Sequence, residues 1–304
     1  MNQGPSQQSQ EGPAEDQQSR REARIREILE QLKNGELQGQ VIVIILIGPS
    51  GAGKSNFLKS LTNSENLRIG HTLQSGTIHS DCVLTLLRER WFLFIDTPGF
   101  GHADYSNANV KAAIFTLLGV FTRLLGGVHG MVYFHDILAD RTAMGMRDSL
   151  ALFMSLMEGI HPVITFITTR WDLVAPKEMA KREERLRELS QTEWKAFFRV
   201  NNQERPLKFG ASYDLDSPEE RAMAKTQWTN QMVDRYQHAP LISLNMPFLE
   251  RTLGEQALFL GQTFGAAVGS TIEFVLEVSY HILPAIFKVK TIFGVEIEIS
   301  IPLD

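Results

Sequence analysis

The stretch VIVIILIGPSGAGKSNFLKSL, Val41 to Leu61, joins an apolar run, a glycine-rich loop and a helix-like segment without interruption. The run Val41 to Ile47 has the pattern of a strand buried on both faces. The loop GPSGAGKS, Gly48 to Ser55, follows directly. In that context consecutive backbone N–H groups can curl around a phosphate at the start of a helix. Gly48, Gly51 and Gly53 permit the curl, Lys54 can reach β- and γ-phosphates, and the Ser55 hydroxyl suits a magnesium ion. A plain turn between strand and helix has no use for a Lys-Ser pair at this spacing.

Two further motifs bear on which nucleotide is bound. WFLFIDTPGF, Trp91 to Phe100, is a buried-strand pattern ending in Asp-Thr-Pro-Gly. Asp96 stands where a strand-end carboxylate can hold magnesium through water, and Gly99 can offer its N–H to a γ-phosphate. VITFITTRWDLV, Val163 to Val174, ends its strand in Thr169-Arg170-Trp171-Asp172. Asp172 can accept two hydrogen bonds from guanine, one from N1–H and one from the exocyclic amine, which adenine cannot supply. Arg170 can lay its guanidinium plane on the base. Each motif alone is weak, but all three sit at strand ends, where open α/β sheets bind ligands.

On these residues the chain resembles a GTPase of the septin, chloroplast-translocon and immune-associated branch, most narrowly the fungal G-domain-containing proteins. GHTLQSGTIHSDCV, Gly70 to Val83, resembles the first switch of that family, with Thr77 at the position of its magnesium-binding threonine. GMVYFHDILADRT, Gly130 to Thr142, and KREERLRELSQTEWKAF also follow the family layout, and the match runs over about residues 40 to 200. The resemblance implies a three-layer α/β P-loop domain, a mostly parallel sheet with helices on both faces, that binds GTP and GDP with magnesium. The implied binding residues are Gly48, Pro49, Ser50, Gly51, Ala52, Gly53, Lys54, Ser55, Asn56, Asp96, Thr169, Arg170, Asp172 and Ala211. The implied metal residues are Ser55, Thr77 and Asp96, and the residues serving hydrolysis are Lys54, Thr77 and Gly99.

The departures also matter. Phe100 follows Gly99 where other GTPases carry the glutamine that orients water, which implies slow intrinsic hydrolysis or help from a partner such as a second copy. Arg170 replaces the usual lysine. Gly210-Ala211-Ser212 is the best match for the last base-binding loop. Thr97, following Asp96, and the absence of a Leu-Ser-Gly-Gly-Gln-like signature count against a transporter ATPase. A guanylate kinase has no reason to carry both later motifs. A scaffold whose bound nucleotide is structural is the rival of another class.

The chain has 304 residues, 43% of them hydrophobic, enough for one large or two small domains. A net charge of −5 and a pI near 5.9 argue against a nucleic-acid partner. Cys82 is the single cysteine, so no intrachain disulfide can form, and a cytoplasmic, reducing setting is expected. Residues 1–19 lack a secretory pattern and read as a disordered tail. Residues 20–38 read as an amphipathic helix with Ile25, Ile28, Leu29 and Leu32 on one face and Gly35 at its end. Residues 39–238 form the G domain, with strands near 128 to 135, 163 to 168 and 206 to 210. Its helices are expected near 106 to 125, 143 to 158 and 177 to 199, with Val110, Ile114, Leu117, Phe121 and Leu125 inward in the first.

Residues 239–304 read as a helix and hairpin extension. The pattern from Glu255 to about His281 is helical, with Gly261, Gly265 and Gly269 four apart, a spacing that permits close contact. Its longest part without ionisable side chains, Ala257 to Ile272, is 16 residues, short of the roughly 20 that span a bilayer. A contact with protein and a contact with membrane both stay open for 255–281. Beyond Pro284 the alternation predicts a hairpin turning near Ile292 to Gly294, pairing Lys288 with Glu298 and Lys290 with Glu296. Phe287, Val289, Ile297 and Ile299 form its apolar face.

Overall fold

The computed structural model describes residues 39–62, 78–101, 125–139, 163–195, 205–211 and 217–242, single positions between these and at 27, 31, 36 and 37, and the backbone alone of 78–81, 275–279, 285–290 and 295–301. Its elements run β1 (Val41–Ile47), α1 (Lys54–Thr62), β2 (Ile78–Leu87), β3 (Arg90–Asp96), β4 (Gly130–Asp136), β5 (Val163–Thr169), α2 (Met179–Gln191), β6 (Leu207–Lys208) and α3 (Pro218–Tyr236). β7 (Val275–Ser279), β8 (Ala285–Lys290) and β9 (Val295–Ile301) follow. The strands form one sheet in the order β6-β5-β4-β1-β3-β2-β9-β8-β7. Within the first six, only the β2–β3 pair is antiparallel.

Every residue of β1 is buried, which is what a central parallel strand covered on both faces requires. Alternation sorts its side chains into two cores. Val41, Val43, Ile45 and Ile47 face one layer with Val110, Ile114, Leu118, Phe121, Leu186 and Trp194. Ile42, Ile44 and Leu46 face the other, with Phe57, Leu58 and Leu61 of α1 and Trp228, Met232 and Tyr236 of α3. The result is a three-layer P-loop fold. Val110, Ile114, Phe121 and Leu125 are buried helical positions as the sequence predicts, while Leu117 lies outside the described residues.

Two elements escape the sequence reading. β2 occupies Ile78–Leu87, partly inside the stretch assigned to the first switch, and turns into β3 through Arg88 and Glu89 at φ 45° and 65°. Two positive φ values between paired Leu87 and Arg90 make the tight hairpin whose twist suits antiparallel strands. α3 begins with a Ser217 side chain accepting from Glu220 N, then Pro218 and two acidic residues in the first turn, all favourable at a helix start. Its buried Ala224, Trp228, Met232 and Tyr236 recur every fourth residue.

At the other end the expected helix from Glu255 to about His281 requires correction, because Val275–Ser279 is a strand. A short apolar run such as VLEVS fits helix or strand by pattern alone, and pairing with β8 decides it. Gly261, Gly265 and Gly269 lie outside the described residues, as do Ile25, Ile28, Leu29, Leu32 and Gly35 of the expected first helix. The hairpin register is as predicted, with Lys288 opposite Glu298, Lys290 opposite Glu296, Phe287 opposite Ile299 and Val289 opposite Ile297. The hairpin also continues the main sheet, since β9 runs parallel to β2.

Candidate functional site

β1 has β3 on one side and β4 on the other, so the chain leaves it at the point where the strand order reverses. The glycine-rich loop occupies that position and leads into α1. Gly51 and Gly53 have φ values of 75° and 86°, which side-chain-bearing residues rarely adopt. Gly48 has no room for a side chain either, because a Cβ there would lie 2.7 Å from the Phe134 carbonyl oxygen.

Lys54 opens α1 and is buried, with Nζ 3.3 Å from the Gly48 carbonyl and 3.2 Å from that of Pro49. Burial pushes its pKa down, opposed by the nearby Asp96 carboxylate. Ser55 follows, its hydroxyl donating to Asp96 Oδ2 over 2.5 Å. Asp96 is the fully buried last residue of β3, brought beside the loop by the parallel β1–β3 register, in which Leu46 opposes it. One hydroxyl and one carboxylate oxygen in contact at a phosphate loop are the hard donors magnesium accepts when phosphate and water complete its shell. Thr77 lies outside the described residues. Asn56 is exposed on the first turn of α1.

The segment after β3 clasps the loop. Ser50 N donates to the Phe100 carbonyl over 2.8 Å, and Phe100 N to the Gly48 carbonyl over 3.3 Å. Gly99 sits so close that a Cβ would lie 2.4 Å from Ser50 Cα. Phe100 points into the core, 2% exposed.

β5 reaches the same loop from the other side. Thr169 Oγ1 donates to the Ala52 carbonyl over 2.9 Å. Arg170, at φ 63° and ψ 28°, donates from Nη2 to the Gly51 carbonyl over 3.0 Å. Its Nη1 lies 2.9 Å from Asp136 Oδ2, so the guanidinium is held by protein groups at the edge of the site. Trp171 is buried with its indole N–H on Thr168 Oγ1 and Lys208 Nζ 4.6 Å from its ring centre. The anchored Trp171 fixes the short helical turn Trp171–Leu173, on which Asp172 stands exposed. Asp172 lies against Gly210, where a Cβ would meet its Oδ1 at 2.7 Å. The loop carrying exposed Ala211 thus adjoins the guanine motif.

The described candidate residues of the phosphate loop, β3 end and β5 end therefore converge at the carboxyl ends of the parallel strands. Sequence reasoning did not single out Asp136, whose signal is a carboxylate ending a buried strand. It also did not anticipate the Phe100 backbone clasp, which no side-chain pattern encodes.

The topology, the phosphate loop and the strand-end carboxylate define a three-layer α/β fold of the P-loop GTPase type. The sequence pattern of the 50S ribosome-binding GTPase family matches residues 43–125, from β1 through the phosphate loop and Asp96 to the helical positions that end at Leu125. The probable GTP-binding protein EngB of Mycoplasma mycoides subsp. mycoides SC is 26% identical over 160 residues, 51% of this chain and 76% of that protein. Among solved structures, a dimerization-deficient mutant of Toc33 from Arabidopsis thaliana aligns at TM-score 0.46 and 16% identity, covering 71% of this chain and 92% of that one. Aquifex aeolicus Era bound to GDP and AlF4− aligns at TM-score 0.40 and 10% identity, covering 79% and 73%.

Proposed function

We propose that this protein binds GTP with magnesium, hydrolyses it to GDP and phosphate, and changes the conformation of its switch segments between the two states. The observation that carries the reading is the convergence of Lys54, the Ser55–Asp96 pair and the β5-end residues Thr169 and Arg170 on one glycine loop. The loop amides and Lys54 stabilise charge that develops on the phosphates as the terminal P–O bond breaks. A buried ammonium with a lowered pKa gains a compensating anion when phosphate enters. Ser55 and Thr77 would hold magnesium directly and Asp96 through water, and the ion would neutralise phosphate charge. Gly99 would offer its N–H to the γ-phosphate, Thr77 would position the attacking water, and Asp172, Arg170 and the Ala211 loop would select guanine.

The septin and chloroplast-translocon resemblance makes activation by a second copy part of the proposal. A cytoplasmic setting with a protein or membrane contact through 255–281 belongs to it as well. Among the described residues no helix is long and apolar enough to cross a membrane.

The second reading is a nucleotide-bound scaffold with negligible hydrolysis. It is favoured by Phe100, which is buried at the position where other GTPases carry the glutamine that orients water. Single-turnover GTP hydrolysis across a protein concentration series separates the two. The hydrolase reading expects turnover, a rate that rises with concentration implies activation by a second copy, and no turnover at any concentration favours the scaffold. Competition titration with ATP tests the base, and equal affinity for ATP and GTP overturns the guanine assignment.

A further inference from the structure

We propose that Asp136 is a positioning residue of the nucleotide site, holding Arg170 across the phosphate loop and so fixing the orientation of the loop's peptides. The inference rests on the guanine-nucleotide reading above. Asp136 ends β4 directly opposite Thr169, the last residue of β5, and its side chain is 14% exposed. Both carboxylate oxygens are engaged: Oδ1 accepts from Leu138 N over 2.8 Å and Oδ2 faces Arg170 Nη1 at 2.9 Å. The carboxylate is therefore immobilised by its own loop before it meets the guanidinium.

Arg170 passes this constraint on. It is a long side chain with several rotamers, and holding one of them costs entropy unless a partner fixes the planar fork. Asp136 takes one terminal nitrogen and the other donates to the Gly51 carbonyl over 3.0 Å. Because a trans peptide points its N–H opposite its C=O, holding the Gly51 carbonyl outward turns the Ala52 N–H to the inner side of the loop. There it donates to the Pro49 carbonyl over 3.2 Å. Thr169 does the same one peptide further on, since its hold on the Ala52 carbonyl over 2.9 Å turns the Gly53 N–H inward. Asp136, Arg170 and Thr169 thus align successive loop amides from the side that carries the base motif.

Asp136→Asn separates this role from simple loop support. The asparagine oxygen can still accept from Leu138 N, while its amide faces Arg170 with a second donor in place of a charged acceptor. In the full chain, with a fluorescent N-methylanthraniloyl GDP probe in stopped flow, Asp136→Asn is expected to raise Kd about tenfold through faster dissociation, with the melting temperature unchanged. Arg170→Gln is expected to give a similar loss, and Asp136→Asn added to it no further loss, because the two residues act in series. Affinity within about twofold of wild type for Asp136→Asn, or an equal loss on top of Arg170→Gln, overturns the proposal. A wild-type chain that binds neither GDP nor GTP overturns the guanine-nucleotide reading itself, and the proposal with it.

Discussion

Tyr236 closes on Gly130 so tightly that a Cβ on the glycine would lie 2.1 Å from Tyr236 Cε1 and 2.7 Å from Cδ1. The last turn of α3 is thereby seated on the first residue of β4. The ring is also tied by its hydroxyl, which donates to Thr165 Oγ1 over 2.7 Å. Gly130→Ala must push the ring away or shift the strand, and the Val163 carbonyl oxygen 3.0 Å away leaves no alternative direction. A loss of about 3 kcal/mol in chemical denaturation is expected, smaller in a Tyr236→Leu background. A loss under about 1 kcal/mol in the wild-type background would contradict the packing.

Acid is expected to destabilise the chain through two buried histidines. His129 Nδ1 accepts from Val43 N over 3.1 Å, and burial lowers its pKa. His135 is pushed down to about 3 by burial and by the charge of Arg185. Both are neutral in the fold and take up protons more readily when unfolded, so their contribution is complete above the ordinary value of 6.5 and is lost as pH falls toward the folded values. His135 alone amounts to roughly 2–3 kcal/mol by about pH 4.5. Tyr236, raised to about 12 by burial, contributes below pH 10 and loses that contribution as pH climbs through its folded value. Denaturation midpoints measured from about pH 4 to 8 check the acid limb, and His135→Phe should flatten it.

What was legible in the sequence is what local pattern encodes. β1 is buried on both faces and reads as a continuous apolar run, and the loop after it reads from its glycines and Lys54-Ser55. The Lys288–Glu298 and Lys290–Glu296 register follows from alternation about a turn. β2 was not legible because Cys82, Val83 and Leu84 are all buried, so no alternation marks a strand beside the switch motif. VLEVS at 275–279 was misread because its partner strand, not its own pattern, determines its state. Asp136 was invisible as a site residue because its partner Arg170 lies on the neighbouring strand's end, a relationship made only by the β4–β5 register.

The base assignment makes its own prediction. In the proposed reading Asp172 accepts from two guanine donors, and Asp172→Asn replaces that carboxylate with an amide that has an acceptor on one side and a donor on the other. GTP affinity should fall about a hundredfold while xanthosine triphosphate gains, because its C2 oxygen accepts what the new amide donates. Competition titration with both nucleotides reads the exchange. Unchanged preference for GTP would place guanine recognition elsewhere.

Gly99 sets the last test, since its contact is with backbone and not with a flexible side-chain end. A Cβ there would lie 2.4 Å from Ser50 Cα, 2.5 Å from Ser50 N and 2.9 Å from the Pro49 carbonyl carbon, so Gly99→Ala must lift the segment after β3 off the phosphate loop. The hydrogen bonds from Ser50 N to Phe100 and from Phe100 N to Gly48 are then lost together. Hydrogen exchange at Ser50 and Phe100 should accelerate at least about tenfold while the β1 and β4 amides keep their protection, because the opening is local. GDP affinity should change little, since Lys54, Thr169 and Arg170 hold the phosphate loop without Gly99. In the hydrolase reading GTP hydrolysis should fall as well, because the γ-phosphate would lose the Gly99 N–H. Exchange at Ser50 and Phe100 that stays at the wild-type rate would mean that the clasp does not depend on this glycine.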